Sequence, residues 1–150
     1  MSLKHKDFFD SPAFAVIGAS KNREKFGNKV LRCYMENKFV VYPVNPVESQ
    51  IEGLNCFINI AELPDTVKSI SVVTPPNVTE QVVEDAYIKG IKNIWMQPGA
   101  ESKAAIEKCQ NYGINCIAGG PCILVELNWE GGTGAKYANE TVKYASISNS

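Results

Sequence analysis

Histidine is nearly absent: His5 is the only one in the 150-residue chain. It stands ahead of the first apolar run, in what reads as an arm before the domain. No Ser/His/Asp set, no His-Glu-x-x-His helix and no paired-carboxylate signature is present, and no catalytic residue is assigned. The five cysteines, Cys33, Cys56, Cys109, Cys116 and Cys122, are odd in number and contain no Cys-x-x-Cys, so a zinc site is not expected. Several sit in apolar segments, where cysteine behaves as a small hydrophobe, and reduced thiols in a cytoplasmic protein are the simplest reading. An excess of one charge is also missing. With 15 basic and 16 acidic residues the net charge is −1, and no Lys/Arg run suggests nucleic-acid binding through bulk charge. No apolar stretch approaches the roughly 20 residues of a membrane helix. The N-terminal segment lacks an apolar core and carries acids, so neither a secretory signal nor a transit peptide is expected. Without such a signal, the glycosylation patterns at Asn77 and Asn139 are chance matches.

What is present is an alternation of short β-branched runs and helical stripes. Hydrophobic residues make up 45% of the chain, enough for one domain to bury a core without staples. Ala13–Ile17 reads as a buried strand, ended by Gly18-Ala19-Ser20. A polar loop follows, then a helical stripe of Val30, Leu31, Tyr34 and Met35, with Asn37 as a left-handed stop. Phe39–Tyr42 is the second strand, broken by Pro43 and Pro46. Asn59 and Glu62 form a capping box on a short helix, and Ile70–Thr74 is a third strand ended by Pro75-Pro76. Asn77 and Glu80 read as another capping box, opening a helix striped by Val82, Val83, Ala86 and Tyr87. Gly90-Ile91 stops that helix, and Ile94–Gln97 is the fourth strand, closed by Pro98-Gly99. Ala105, Ile106, Cys109 and Tyr112 stripe one more helix, stopped by Gly113-Ile114, and Asn115–Ala118 is the last strand. The pattern dissolves after Glu126. The expected organisation is one domain over residues 1–126 and a C-terminal extension over 127–150, peripheral or partly disordered.

Five strands alternating with helices predict an α/β fold. The expected form is a Rossmann-like, doubly wound, mainly parallel five-stranded sheet with helices on both faces. Ligands of such sheets lie beyond the carboxyl ends of the strands. Here those ends are built from Gly, Pro and small polar residues in all five turns, which marks a prepared edge. The first turn and the helix start after it suit a phosphate. The dinucleotide fingerprint Gly-x-Gly-x-x-Gly is nevertheless absent, since Gly18-Ala19-Ser20 is followed by a polar insertion and Lys25-Phe26-Gly27. Gly18 and Gly27 have the alternative of simply allowing tight helix–strand packing. The second strand ends in Pro43-Val44-Asn45-Pro46 where a nicotinamide site places an acid for the ribose, which disfavours NAD.

The strings AVIGASKNREKFGNKVLR, VYPVNP, VVTPP, IKNIWMQPGAES and GGPC, in this order and spacing, resemble the CoA-binding domain family over about residues 10 to 126. That family includes stand-alone bacterial CoA-binding proteins and the N-terminal domains of ADP-forming acyl-CoA synthetases and succinyl-CoA synthetase alpha chains. One departure concerns the late cysteine. Stand-alone members tend to have Arg before it and Pro-Lys after it, whereas Pro121-Cys122-Ile123-Leu124 is closer to the synthetases. The resemblance implies coenzyme A, or an acyl-CoA, across the carboxyl edge. It places Gly18, Ala19, Ser20 and Lys25 at the phosphates and Val44, Asn45 and Pro46 beside the adenosine. Thr74, Pro75 and Pro76 would flank the pantetheine arm, and Gln97, Pro98 and Gly99 its reactive end. Lys25 has the alternative of a solvated loop lysine; Thr74 and Gln97, of satisfying backbone groups at strand ends. Cys122 reads as structural rather than catalytic, because nothing nearby promises to stabilise a thiolate.

Synthetases of this type relay phosphate through a histidine on a second domain and use a separate ATP module. His5 does not fit that role, and no Gly-x-x-x-x-Gly-Lys-Ser/Thr loop exists. The expected function is therefore non-catalytic CoA binding, with no nucleic-acid or membrane partner and a protein partner left open. The alternatives are an NAD(P)-binding oxidoreductase-like domain and a noncatalytic subunit of an acyl-CoA synthetase completed in trans. A valine at Gly18 is expected to obstruct phosphate approach and abolish binding while leaving the fold largely intact.

Overall fold

The apolar runs assemble into one sheet because each is too short and too hydrophobic to be stable alone. The computed structural model describes residues 2–129. Its elements are α1 (Leu3–Phe9), β1 (Ala13–Ile17), α2 (Phe26–Glu36), β2 (Val41–Val44), β3 (Gln50–Ile51), β4 (Leu54–Asn55), a 3-10 turn (Ile60–Glu62), β5 (Val67–Val72), α3 (Pro76–Lys89), β6 (Asn93–Met96), α4 (Lys103–Tyr112), β7 (Asn115–Ile117) and α5 (Ile123–Glu126). The main sheet has five parallel strands in the order β2-β1-β5-β6-β7, while β3 and β4 form a separate antiparallel hairpin. Two apolar clusters cover its faces. One joins α3, α4 and the 3-10 turn to the sheet through Ile70, Val83, Ala86, Ile94, Ala105 and Cys109. The other joins α1, α2 and α5 through Phe8, Phe14, Leu31, Tyr34, Trp95 and Leu124. This is the expected doubly wound Rossmann-like fold.

Several boundaries differ from the sequence reading. The second strand is Val41–Val44 rather than Phe39–Tyr42, and Pro43 lies inside it. That is tolerated because β2 is an edge strand. Its Pro43 carbonyl accepts from the Phe57 N–H (3.0 Å), and the Asn45 N–H donates to the Phe57 carbonyl (3.0 Å), both away from β1. Asn77 and Glu80 do not cap α3. The helix begins at Pro76 with Pro75 in the capping position, where proline's missing N–H would have had no helical acceptor. Asn37 is not the left-handed residue after α2. Lys38 is, with φ +68°, while the Asn37 side chain donates to the Cys33 carbonyl at 2.8 Å. The stops after α3 and α4 form as expected: the Ile91 N–H donates to the Ala86 carbonyl (3.0 Å) and the Ile114 N–H to the Cys109 carbonyl (2.9 Å).

The N-terminal segment is not a loose arm. It folds as α1, with the Ser2 hydroxyl accepting from the His5 N–H at 3.3 Å. Phe8 is fully buried, and its ring meets those of Trp95 (5.2 Å) and Phe14 (5.7 Å). The Ser69 hydroxyl donates to the Phe8 carbonyl at 2.6 Å, which pins the end of α1 to the start of β5. At the other end of the described chain, Leu127 and Trp129 are buried. The remainder of the expected extension, 130–150, lies outside the described residues.

Candidate functional site

The chain leaves β1 toward β2 on one side, and β5, β6 and β7 extend on the other. Reversal of strand order between β1 and β5 opens a crevice at their carboxyl ends. A cavity of about 450 Å³ lies there, lined by Gly18, Ala19, Ser20, Lys25, Phe26, Gly27, Asn45 and Val73.

Close backbone approach makes this cavity. Gly18 has φ +91°, and a Cβ on it would stand 2.8 Å from the Val73 carbonyl oxygen. A Cβ on Gly27 would stand 2.2 Å from the Gly18 carbonyl oxygen. The first turn of α2 therefore rests directly on the end of β1. Packing is what the geometry requires of these two glycines, and a valine at Gly18 cannot be seated without shifting backbone and lowering stability. This corrects the expectation drawn from the sequence.

The helix start itself is left open. Lys25 occupies the capping position of α2 with extended backbone and no side-chain cap bond. The first N–H groups of a helix have no intrahelical acceptor, and together with the helix dipole they favour an anion. Ser20 presents a hydroxyl that accepts from the Asn22 N–H (3.1 Å) and keeps its own proton to donate. Asn22 in turn accepts from the Glu24 N–H at 2.9 Å. Lys21 and Arg23, on the same loop, pair with Glu48 (3.7 Å) and Glu52 (3.3 Å), and Lys25 is exposed.

Asn45 closes the opposite wall. Its amide nitrogen donates to the Ala19 carbonyl (3.0 Å), and its oxygen accepts from the Val47 and Glu48 N–H groups (2.8 and 2.9 Å). It ties the end of β2 to the first turn, in the place where a nicotinamide site carries a ribose-binding acid. Its neighbours Val44 and Pro46 do not line the cavity; Val44 is buried in the sheet and Pro46 is exposed.

The other expected residues lie further along the same edge. The Thr74 hydroxyl meets the Thr79 hydroxyl at 2.7 Å, so it serves the junction into α3. Pro75 and Pro76 are exposed there. Gln97 is fully buried; its Oε1 accepts from the Ile123 N–H (3.2 Å), while its Nε2 has no acceptor among the described residues. Pro98 and Gly99 are exposed beside it, and the Gly99 N–H donates to Glu101 at 3.1 Å. Cys122 is half-buried at the start of α5, close to Cys33, whose thiol is pushed up first by burial and then by Cys122 and Glu36. Sequence reasoning missed Asn28 and Glu52, which support the loop from behind. A buried asparagine on a helix carries no local signal, and Glu52 arrives through a hairpin that was not foreseen.

His5 lies away from this edge. Its ring packs on Trp95 at 4.8 Å and its Nδ1 touches the Glu126 carboxylate, on the sheet face covered by α1 and α5. Trp95 is fully buried and donates to the Pro121 carbonyl at 3.0 Å, as a packing residue does.

Residues 12–128 match the CoA binding domain family. The chain belongs to that family. Coenzyme A is its ligand, and nothing in the matches favours a nicotinamide-dependent oxidoreductase. The match is to a binding module rather than to a catalytic domain. Among the described residues no group of His, Cys, Asp and Glu gathers as a metal site, and no helix is long and apolar enough to cross a membrane. Among proteins, this CoA-binding domain is 30% identical to an ADP-forming acetate–CoA ligase II of Archaeoglobus fulgidus, over 91% of the chain and 22% of the ligase. It is also 30% identical to the alpha subunit of the corresponding Pyrococcus furiosus enzyme, over 73% of the chain and 26% of that subunit. Among solved structures, a conserved hypothetical protein from Pyrococcus furiosus superposes with a TM-score of 0.73 at 42% identity, covering 76% of this chain and 97% of that one. The chain thus spans about a quarter of the length of the curated relatives it matches.

Proposed function

We propose that the chain holds coenzyme A, or an acyl-CoA, along the carboxyl edge of the sheet and does no chemistry of its own. In this reading Gly18, Ala19, Ser20 and Lys25 take the diphosphate, and Asn45 and the exposed Pro46 flank the adenosine, with the buried Val44 supporting them from the sheet. Thr74, Pro75 and Pro76 border the pantetheine arm, which ends near Gln97, Pro98 and Gly99. The observation that carries it is the cavity at the strand-order reversal, where the uncapped start of α2 and the Ser20 hydroxyl converge. Backbone N–H groups at a helix start suit a diphosphate, and the exposed Lys25 beside them adds positive charge. The five cysteines form no disulfide, which supports a working place in the reducing cytoplasm.

Isothermal titration with CoA and with NAD tests the reading. CoA is expected to bind and NAD to bind weakly or not at all, because no acid stands at the end of β2 to hold ribose hydroxyls. Tighter binding of NAD would overturn it. Mass spectrometry of ligand retained on the purified protein separates CoA from acyl-CoA.

A second reading is favoured by the likeness to the alpha subunit of the Pyrococcus furiosus ligase: a noncatalytic subunit that completes an acyl-CoA synthetase in trans. Under either reading the chain alone releases no phosphate from ATP with CoA and acetate. Co-purification of a partner that restores this activity distinguishes the second from the first.

A further inference from the structure

Behind the cavity, a hub of hydrogen bonds fixes the loop that the proposed function assigns to the ligand's phosphates. Its centre is Asn28, in the first turns of α2 and fully buried. One amide nitrogen of Asn28 donates both to the Ser20 carbonyl (2.9 Å) and to the Glu52 carboxylate (3.0 Å). Its amide oxygen accepts from Arg32 Nε at 2.7 Å. The Arg32 guanidinium also donates to the Arg23 carbonyl (3.3 Å) and lies 5.2 Å from the Trp129 ring centre. Glu52 reaches the hub from outside the sheet. It is the first residue of a two-residue turn between β3 and β4, with φ +52°, followed by Gly53 at φ +80°. Such a turn matches the twist of a hairpin and aims its first side chain reproducibly. The same carboxylate pairs with Arg23 on the loop at 3.3 Å.

A carboxylate beside an anion site is unfavourable by charge alone. Its presence there calls for a compensating role, and the hub provides one. A buried amide with one hydrogen left unpaired turns to find another acceptor. Without Glu52, one hydrogen of the buried Asn28 amide has no acceptor, and its hold on the Ser20 carbonyl and on the loop from Ser20 to Lys25 weakens.

We propose that Glu52 is a positioning residue: acting through Asn28 and Arg23, it holds the Ser20–Lys25 loop in the shape that receives the phosphates, without touching the ligand. The proposal rests on the CoA reading of the cavity and makes a prediction opposite in sign to simple electrostatics. If Glu52 were only a charge near the site, Glu52→Ala would tighten CoA binding. As a positioning residue, its loss raises the CoA dissociation constant about tenfold, the factor that goes with losing one hydrogen bond to a charged group. Glu52→Gln keeps an acceptor for Asn28 and loses only a partly exposed ion pair, so it is expected to recover to within about threefold of wild type.

The test is titration of wild type, Glu52→Ala and Glu52→Gln with CoA, alongside hydrogen exchange of the unliganded proteins. The amides of Asn22, Glu24 and Lys25 are expected to exchange faster in Glu52→Ala and at the wild-type rate in Glu52→Gln. Equal or tighter CoA binding by Glu52→Ala overturns the proposal, as does failure of the glutamine to rescue. If wild type binds no CoA, the functional reading falls and exchange alone decides the positioning role. Unchanged exchange across the loop in Glu52→Ala overturns it.

Discussion

Gly18 and Gly27 meet at one contact, and it explains both why they are needed and why their role was ambiguous from sequence. A glycine after the first strand reads equally as a phosphate cradle or as a packing gap. The distances decide for packing first: no side chain fits at either position without moving backbone. In the proposed reading, phosphate approach follows from the same bare contact. Gly18→Val combines a β-branched residue at positive φ with a clash against the Val73 carbonyl. It is expected to lower stability by about 3 kcal/mol, from left-handed backbone strain plus overpacking, and the melting temperature by about 10 °C. Thermal unfolding followed by circular dichroism checks this. A variant that melts with wild type while losing CoA would restore the reading in which Gly18 serves the ligand alone. Asn45 was legible as a residue of the carboxyl edge, but its hydrogen bonds were not. Proline on both sides announced a special turn, whereas the bond to the Ala19 carbonyl depends on which strand lies next to which.

At the level of elements, what the sequence announces are the strands and the glycine stops, because both rest on local patterns. A run such as Ala13–Ile17 needs no partner to be recognised, and Gly90-Ile91 and Gly113-Ile114 carry their own hydrogen-bonding logic. Non-local features escape. Pro43 lies within β2 only because that strand is at the edge, and edge position is a property of the whole sheet. The β3–β4 hairpin is too short for periodicity, and its Glu52-Gly53 turn departs from the usual Asn-Gly signal. The helix α1 was missed for a similar reason. Seven residues make barely two turns, and the Phe8 that anchors them is explained only by Trp95 and Phe14 across the fold. A separable arm would tolerate truncation of Phe8, whereas a core element would not. Phe8→Ala is expected to cost about 3–4 kcal/mol, the usual penalty for emptying a buried aromatic site. That corresponds to a fall of more than about 10 °C in the melting temperature. CoA affinity is expected to hold at temperatures where the variant is folded, since the end of α1 is fixed to the start of β5, away from the carboxyl edge. A melting temperature within about 2 °C of wild type would return α1 to the status of an arm.

For the molecule as a whole, the two apolar faces differ in what they bury. The face under α1, α2 and α5 contains Cys33 and Tyr34, one after the other on α2 and both fully buried. The Tyr34 hydroxyl lies 2.7 Å from Ser71 Oγ on β5, which joins helix to sheet across the centre of the domain. Burial raises both acids above their ordinary values of 9.0 and 10.0, because an anion there would lose its water. In the unfolded chain each loses its proton near its ordinary value, while the folded chain keeps it. Their contribution to stability is therefore complete below about pH 9 and declines as the pH climbs toward the raised folded values. The decline approaches about 1.4 kcal/mol per pH unit for each group once its unfolded form is ionised. Thermal melts from pH 7 to 11 are expected to stay level to about pH 9 and then fall, with the steepest part above pH 10, where both groups count. Cys33→Ala lowers the neutral-pH melting temperature by deleting a packed side chain, but it also flattens the alkaline decline, which a purely structural loss would not do. An alkaline slope identical in wild type and Cys33→Ala would show that the thiol buried beneath α2 is not what limits the fold at high pH.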